Sequence, residues 1–290
     1  MESEAGADGE TGSLVDQVAV VTGGGRGLGR VIACHLAAAG ARVVVASRTL
    51  SEVEETVELI ERVGGTATAF VLDVSDREAV VSVMAKIERR LGQVDLLVND
   101  AAVVAPLGPS WEVPAEEWWR HLQINLYGSF LCAHTVLPGM TGRGRGRIVN
   151  LVSTAGLVAI PFASAYVTSK AAVIRLSEAL AIEAEEYGVS VFALDPGWVS
   201  TAMTEYAAYS DQGKRWTPWA ESVFGTDAHV PAQRAAELVG ELASGRADRL
   251  TGRYLRVHDD LEDLIRCGEH VRDHDLHSMR LRQETVIDAS

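Results

Sequence analysis

Cysteine is scarce in this chain, and its three residues, Cys34, Cys132 and Cys267, lie far apart and form no C-x-x-C pair. Because three cysteines cannot build a disulfide framework, we expect a reducing, cytoplasmic setting. No apolar run reaches the roughly 18 residues that a membrane-spanning helix needs. Residues 1–13 contain neither a basic region nor an apolar core, so the sequence predicts no signal peptide.

Positive charge is the second scarcity: 26 Lys and Arg residues stand against 40 Asp and Glu residues, which gives a formal net charge of −14. A field of this sign repels phosphate backbones, so we expect no nucleic acid partner. Lysine occurs only at Lys86, Lys170 and Lys214, which makes each lysine more informative. With 47% hydrophobic and 23% charged residues, the composition excludes disordered, collagen-like and coiled-coil proteins.

Short β-branched runs alternate with longer helical patterns from Gln17 onward. The pattern predicts seven strands, at Val18–Val21, Arg42–Ala46, Thr68–Leu72, Leu96–Val98, Arg147–Leu151, Val189–Leu194 and Tyr254–Val257. It predicts helices at Leu28–Ala39, Leu50–Val63, Arg77–Leu91, Glu116–Leu137, Ala165–Tyr187 and Ala232–Ala243. This alternation indicates βαβ units, and the near-continuous apolar strands indicate a parallel sheet covered on both faces.

We therefore predict an α/β fold, a doubly wound seven-stranded parallel sheet of the Rossmann type, as a single domain over residues 14–258. Residues 1–13 are small, polar and acidic, which predicts a disordered acidic tail. Residues 259–290 continue past the last predicted strand, and Leu261, Leu264 and Ile265 repeat there at helical spacing. This part is predicted to be a C-terminal helical extension that packs on the domain or on a neighbouring subunit.

A glycine-rich turn, Thr22-Gly23-Gly24-Gly25-Arg26-Gly27-Leu28-Gly29, connects the first predicted strand to the first predicted helix. Such a turn presents backbone N–H groups and the positive end of a helix dipole to a phosphate. An ordinary flexible loop is the alternative. The strict G-x-G-x-x-G spacing fails, because Arg30 stands where the third glycine belongs, and the spacing that fits is Gly23-x-x-x-Gly27-x-Gly29.

Further motifs follow at the ends of later strands and in the helices after them. They are Asp73-Val74, Asn99-Asp100-Ala101-Ala102, Asn125, Ser153, Tyr166-Val-Thr-Ser-Lys170 and Pro196-Gly197-Trp198-Val199-Ser200-Thr201. In this order and spacing the chain resembles the compact branch of the short-chain dehydrogenases/reductases, and the resemblance covers residues 14–258. Asp100 and Ala102 depart from the family's usual N-N-A-G, which puts the local loop geometry in question rather than the chemistry.

The resemblance implies an NAD(P)-dependent oxidoreductase that interconverts a ketone or aldehyde and an alcohol. It implies four catalytic residues: Asn125, Ser153, Tyr166 and Lys170. It implies that Lys170 also binds the nicotinamide ribose and that Asn125 holds a water that extends the proton relay. The implied cofactor-binding residues are Gly23, Gly25, Arg26, Gly27, Leu28, Gly29, Ser47, Arg48, Asp73, Val74, Asn99, Ala101, Tyr166, Lys170, Pro196, Gly197, Val199 and Thr201.

Tyr166 and Lys170 stand four residues apart, so their side chains share one helix face. An ammonium group beside a phenol lowers the phenol's pKa from about 10, which would let Tyr166 serve as general acid and base. The Ser153 hydroxyl is placed to polarise the substrate oxygen. A non-catalytic dinucleotide sensor or scaffold is the alternative, but such proteins usually lose the Tyr or the Lys. A sugar-nucleotide epimerase or dehydratase would need other glycine spacing and a longer substrate domain.

The second predicted strand ends at Ser47 and Arg48, where NAD-binding proteins of this type carry an acid that binds the ribose 2′-hydroxyl. Ser47 and Arg48 can donate to a 2′-phosphate, with Arg26 as a second cation. This predicts NADP(H) as the preferred cofactor and NAD(H) as the alternative. Arginine also occurs at the Arg26 position in NAD-binding members, so Arg26 alone does not distinguish NADP(H) from NAD(H) as the cofactor.

Between Thr201 and Pro231 lie five aromatic residues, in a segment that in this family folds over the substrate: Tyr206, Tyr209, Trp216, Trp219 and Phe224. They predict an apolar or aromatic carbonyl substrate, the alternative being a lid that packs on itself. The resemblance also implies a homodimer or homotetramer built on the helices Glu116–Leu137 and Ala165–Tyr187. We predict no metal site, although His270, His274 and His277 could share one face of a helix beside Asp273.

Overall fold

The computed structural model describes residues 14–224, 226 and 229–280. One sheet of seven parallel strands forms its centre, in the order β3-β2-β1-β4-β5-β6-β7. The strands are β1 (Val18–Thr22), β2 (Arg42–Ser47), β3 (Thr66–Val71), β4 (Leu96–Asn99), β5 (Gly146–Leu151), β6 (Val189–Asp195) and β7 (Tyr254–Arg256). The predicted doubly wound α/β fold is confirmed. The prediction for residues 1–13 lies outside the described residues.

Helices cover the sheet and extend beyond it. They are α1 (Gly27–Ala38), α2 (Leu50–Arg62), α3 (Arg77–Leu91), α4 (Ala115–Leu122), α5 (Gly128–Arg143), α6 (Ser164–Ala184), α7 (Ala202–Tyr209), α8 (Asp211–Trp216), α9 (Trp219–Val223), α10 (Ala232–Ser244), α11 (Leu261–Arg266) and α12 (Gly268–Asp273). None of the helices in the described part of the chain has the length and apolar character to cross a bilayer.

The two faces of the sheet build two separate cores because side chains alternate along each strand. On β1, Ala19 and Val21 pack with residues of α1, α2 and α10, whereas Val18 and Val20 pack with residues of α3, α5 and α6. The inner strands β1, β4 and β6 are therefore buried on both faces, as the sequence predicts, whereas the edge strand β3 is partly exposed. This burial fixes the register of the strands, and the register fixes where their carboxyl ends lie.

The helix predicted over Glu116–Leu137 is wrong in its middle and at its end. A π-helical segment, Gln123–Tyr127, separates α4 from α5, and α5 continues to Arg143. The Asn125 side chain lies in this segment and forms two hydrogen bonds of 2.9 Å with the backbone of Val103. Since Val103 belongs to the loop after β4, a contact distant in sequence accompanies the change of helix type.

Successive strands are added outward on one side of β1 as far as β3, and the chain then crosses back to place β4 on the other side of β1. The central strand β1 therefore has β2 on one side and β4 on the other. Crossovers that leave in opposite directions open a crevice between the loops that follow these two strands. The glycine-rich turn follows β1, and the loop Asp100–Val103 follows β4. The fold therefore places the ligand cleft at the carboxyl edge of the sheet, where the sequence motifs are.

Candidate active site

A cleft of about 400 Å³ opens at the carboxyl ends of the strands, within the size range of small-molecule sites. Most of the residues predicted from the sequence line it. They are Gly23, Arg26, Gly27, Leu28, Ser47, Arg48, Asp73, Val74, Ala101, Ser153, Tyr166, Lys170, Pro196, Gly197, Val199 and Thr201. Residues at the carboxyl ends of six strands, β1 to β6, and two residues of α6 thus meet in one place, although they are up to 178 positions apart in the sequence.

The glycine turn has a backbone that only glycine adopts without strain. Gly23 and Gly27 have φ angles of 72° and 55°, and a Cβ atom on Gly25 would lie 2.7 Å from Ser47 Oγ. The residue before α1, Arg26, makes no side-chain capping bond, and in the first turn of the helix the N–H of Gly29 is bonded to the Asp100 carboxyl. A helix N-terminus beside a backbone that allows close approach fits the diphosphate of a dinucleotide.

Four of the predicted residues, Gly25, Gly29, Asn99 and Asn125, lie behind the cleft rather than in its wall. Asn99 is buried, and its amide group donates to Asn150 Oδ1 at 2.8 Å, which ties β4 to β5. Its role here is to hold the loop after β4. The resemblance alone gives no means of separating such a supporting residue from one that touches a ligand.

Ser153, Tyr166 and Lys170 form the catalytic end of the cleft. Ser153 directly precedes a short 3-10 turn, Thr154–Gly156, and its hydroxyl is near enough to the phenol of Tyr166 to lower the pKa of that phenol. Lys170 is buried one helical turn further along α6, where its Nζ donates to Leu151 O at 2.8 Å and lies 5.8 Å from the centre of the Tyr166 ring. The predicted serine, tyrosine and lysine are therefore adjacent.

The pKa of Tyr166 departs from the expected direction. Desolvation of the phenol raises its pKa to about 12, the Ser153 hydrogen bond lowers it in part, and the carboxylates of Asp195 and Asp100 raise it further. Desolvation also lowers the pKa of Lys170 to about 8. The prediction that Lys170 holds the pKa of Tyr166 below 10 is wrong, because desolvation and the carboxylates of Asp195 and Asp100 raise that pKa. A protonated phenol near pH 7 is suited to donate a proton.

Both the oxygen and the nitrogen of the Asn125 side chain are hydrogen-bonded to protein groups. Besides its two bonds with Val103, its Nδ2 lies 2.8 Å from Nε2 of the buried His121, whose Nδ1 lies 2.8 Å from Ala105 O. Because a carbonyl only accepts, Nδ1 carries the proton and Nε2 accepts from Asn125; burial lowers the pKa of His121, which favours this neutral form. Sequence reasoning missed His121, whose signal was its position four residues before Asn125.

The five aromatic residues after Thr201 lie in or next to α7, α8 and α9. Trp198 contacts Trp219 and Phe224 edge-on, and Tyr209 contacts Phe224 at 5.3 Å between ring centres. Trp216 instead contacts Phe162, at 4.9 Å. Three of the five, Tyr209, Trp219 and Phe224, thus form one cluster with Trp198.

The histidine face considered as an alternative does not form on one helix. His270 and His274 stack at 4.0 Å between ring centres, but α12 ends at Asp273 and His277 lies beyond it with a φ of 54°. Across the described ranges no group of three or more His, Cys, Asp or Glu side chains is arranged to hold a metal ion.

Comparison with known proteins decides the family. The model of a family described as short chain dehydrogenase matches residues 17–211, which is more than half of the chain. The chain belongs to the short-chain dehydrogenase/reductase family. It is an enzyme of that family, an oxidoreductase, and its glycine turn and its Tyr-Lys pair fall inside the matched residues.

Its relatives include dehydrogenases of several kinds. The D-beta-hydroxybutyrate dehydrogenase of Rhizobium meliloti is 32% identical over 253 residues, which cover 83% of this chain and 96% of that protein. A short chain dehydrogenase of Pseudocercospora fijiensis is 36% identical, over 66% of this chain and 62% of that protein. The latter match therefore spans less than two thirds of its relative.

Two solved structures show the same fold. A gluconate 5-dehydrogenase from Burkholderia cenocepacia in complex with NADP and tartrate has a TM-score of 0.78 and 26% identity, covering 88% of this chain and 98% of that one. An NAD+-bound xylitol dehydrogenase has a TM-score of 0.75 and 26% identity, covering 84% and 98%. Both NADP and NAD therefore occur in structures similar to this short-chain dehydrogenase/reductase.

Asp100 is the departure from the family's usual motif that has a physical effect here. Its carboxyl accepts the N–H of Gly29, and a Cβ atom on Gly29 would lie 2.6 Å from its Oδ2. Desolvation raises the pKa of Asp100 to about 7, while the Lys170 charge and the Gly29 hydrogen bond lower it in part. A carboxyl is thus held beneath the glycine turn at a position where the family usually has an amide.

We expect Asp100→Asn to raise the Tm, and to raise it more at pH 8 than at pH 5. In the unfolded chain the carboxyl ionises near pH 4, but in the folded protein it ionises only near pH 7. The contribution of this carboxyl to the free energy of unfolding is therefore fully present below about pH 4. It decreases as the pH rises from about 4 to 7 and is absent above about pH 7. Asparagine has no charge to desolvate and keeps an oxygen for the Gly29 N–H.

Thermal unfolding followed by circular dichroism at both pH values measures this effect. Glu54→Gln is the matched control, because it removes a carboxylate from an exposed position on α2. If Asp100→Asn changed the Tm by the same amount at pH 5 and pH 8, the pKa of the Asp100 carboxyl would be the same in the folded and unfolded states. That result would contradict the prediction.

Proposed function

We propose that this short-chain dehydrogenase/reductase interconverts a ketone or aldehyde and an alcohol, with NADP(H) as its preferred cofactor. One observation carries the proposal: Ser153, Tyr166 and Lys170 line the same cleft as the glycine turn, with Lys170 one helical turn after Tyr166 on α6. The family relationship supports the dinucleotide, since its solved members include NADP and NAD complexes. No observation favours a non-catalytic sensor.

Each residue has a task that follows from its surroundings. A nicotinamide dinucleotide supplies or accepts the hydride when it is bound. Tyr166, protonated at neutral pH, donates its hydroxyl proton to the substrate oxygen during carbonyl reduction. The Ser153 hydroxyl stabilises the charge that develops on the same oxygen. Lys170 keeps two N–H groups beyond its bond to Leu151 O for a ribose hydroxyl, and Asn125 fixes the loop after β4 through Val103.

For the substrate we propose an apolar carbonyl compound, ring-containing or bulky. Ala102, Val103 and Met203 contribute apolar side chains to the lining of the cleft that also holds Ser153 and Tyr166. Since Tyr209, Trp219 and Phe224 pack in one cluster with Trp198, these three apolar side chains are the main support for an apolar substrate.

Oxidation of NADPH in the presence of a panel of carbonyl compounds tests the proposal. We expect turnover of cyclic and aromatic ketones, aldehydes or quinones, with kcat/KM at least about tenfold above that for small polar ketones and keto sugars, because each buried CH₂ contributes about 0.8 kcal/mol. Activity confined to sugars or small polar ketones would contradict the apolar substrate. Absence of turnover with every compound, despite cofactor binding, would support the sensor instead.

We further propose that the protein is cytoplasmic and assembles as a homodimer or homotetramer. The support for assembly is apolar surface on the helices concerned: Ile182 of α6 is 72% exposed, and Tyr127 and Phe130 stack at the start of α5 while partly exposed.

Light scattering at micromolar concentration measures the mass of the assembly. We expect twice or four times the chain mass of 31.1 kDa. Ile182→Glu places a charge in the proposed interface and should shift the mass towards that of one chain. A wild-type mass of one chain would contradict the assembly.

A further inference from the structure

Residues Asp275–Arg280, which we call the C-terminal clasp, lie along the edge strand β7. The N–H of Tyr254 donates to the carbonyl of His277 at 2.7 Å, and Nδ1 of the His277 ring lies 3.1 Å from Tyr254 O. A carbonyl only accepts, so Nδ1 donates this bond. One residue of the clasp therefore pairs both outward backbone groups of Tyr254, which an edge strand otherwise leaves open.

The clasp is fastened to α6 as well as to β7. Arg253, beside Tyr254, donates to Asp275 Oδ1 at 3.1 Å, and Arg280 donates to Glu178 Oε1 of α6 at 2.6 Å. Met279 packs against a small buried cluster below the active site, formed by Val152, Val173, Ile174, Ala193 and Tyr254. Val152 directly precedes Ser153, so Met279 of the clasp packs on the same buried cluster as the residue before the catalytic serine.

Below the clasp, one buried carboxylate joins three parts of the site. Asp195, at the end of β6, accepts through Oδ2 from the Tyr254 hydroxyl at 2.5 Å and from Thr154 Oγ1 at 2.5 Å. Its Oδ1 accepts from the N–H of Gly197 at 2.9 Å. Thr154 follows Ser153, and Gly197 belongs to the cleft wall, so Asp195 sets the position of the serine relative to that wall.

On the basis of the proposed carbonyl chemistry, we propose that Tyr254 and Asp195 are positioning residues for Ser153, and that the clasp holds Tyr254 in place for this task. Ser153 and Gly197 stand on separate loops, and a charge-assisted network between them leaves few alternative arrangements. A displacement of the Ser153 hydroxyl by a fraction of an ångström reduces transition-state stabilisation more than it reduces binding. The C-terminal extension thereby acquires a role in catalysis without touching the substrate.

Tyr254→Phe is the main test, because it removes one hydroxyl and keeps the buried ring. We expect kcat for carbonyl reduction to fall about tenfold, the usual effect of losing one charge-assisted hydrogen bond, with KM for NADPH within about threefold of wild type. Thr154→Val should behave in the same way, whereas Thr154→Ser keeps the hydroxyl and should retain wild-type kcat. Tyr187→Phe, which alters a half-exposed tyrosine, is the matched control.

Hydrogen–deuterium exchange gives a readout independent of activity. The N–H groups of Ala155 and Gly156 bond to Ser153 Oγ and Ser153 O at 3.2 and 2.8 Å, so their exchange reports the order of this turn. We expect exchange over residues 152–157 to be about tenfold faster in Tyr254→Phe and in Met279→Ala, and unchanged in Tyr187→Phe.

Support requires both the loss of kcat and the faster local exchange in Tyr254→Phe. Unchanged kcat or unchanged exchange in Tyr254→Phe would each overturn the positioning role. The same holds if exchange increases equally in β1, because the effect would then not be local to the Ser153 turn. If Met279→Ala does not fold, the result for Tyr254→Phe alone tests the proposal. A wild-type protein that reduces no carbonyl compound would refute the proposed function, while the exchange measurement would still show whether the clasp orders the Ser153 turn.

Discussion

Replacement of Tyr166 by phenylalanine is expected to lower kcat by at least about 100-fold, with NADPH binding retained within a few-fold. The phenol lines the cleft together with Ser153 and Lys170, and its pKa of about 12 keeps it protonated near pH 7. Phenylalanine keeps the ring beside His121 and Lys170, so the wall of the cleft stays in place. What is removed is the proton donor, and the loss therefore falls on kcat.

Steady-state kinetics and a binding titration of NADPH by fluorescence separate these two effects. Tyr206→Phe is a suitable control, since it removes the hydroxyl of a lid tyrosine that donates to Gln212 Oε1 at 2.8 Å and leaves the catalytic end unchanged. Turnover by Tyr166→Phe within a few-fold of wild type would show that another group donates the proton.

Sequence patterns were sufficient for the fold because they depend on local chemistry. β-branched runs, the glycine turn and the periodic helices predicted all seven strands in their correct order along the chain. The edge strand β3 begins at Thr66 rather than Thr68, since its alternating Thr and Ala residues carry only a weak apolar signal. The π-helical segment could not be predicted from local patterns, and the Asn125 contact that accompanies it is with Val103, 22 residues away.

The site was predictable to the level of residue types but not of electrostatics. Tyr166 and Lys170 follow from a spacing of four residues, which any helix brings together. The direction of the Tyr166 pKa depends instead on desolvation and on Asp100 and Asp195, which come from the ends of two other strands. One sequence feature could have pointed to Asp195 as a site residue, since it is an acid at the end of an apolar strand, directly before Pro196.

The choice of cofactor depends on a small group of charges at the other end of the cleft. Ser47, Arg48 and Arg26 line it together, as predicted, but Glu52 lines it as well. Arg26 Nη1 lies 3.6 Å from Glu52 Oε1, and the Arg26 side chain is 66% exposed, so this ion pair is weak. Arg48 is left as the cation best placed to favour a 2′-phosphate.

Ser47→Asp is expected to lower kcat/KM for NADPH by about 10- to 100-fold and to shift preference towards NADH. A carboxylate at the end of β2 repels a 2′-phosphate and accepts hydrogen bonds from a 2′-hydroxyl. The loss corresponds to one charge-assisted hydrogen bond, about 1.5–3 kcal/mol. The new side chain fits locally, because Ser47 Oγ already accepts from the N–H of Thr49 at 3.4 Å, and an aspartate oxygen can take the same bond.

Ser47→Asn separates charge from size, since it matches the aspartate in shape but carries no charge. We expect Ser47→Asn to keep most of the preference for NADPH, and the effect of Ser47→Asp to shrink as salt is raised, because screening weakens repulsion between partly exposed charges. Measured kcat/KM values for both cofactors at low and high ionic strength provide the comparison. Equal or better use of NADH by the wild-type protein would show that Arg48 does not bind a 2′-phosphate. Full NADPH preference in Ser47→Asp would place the ribose away from the end of β2.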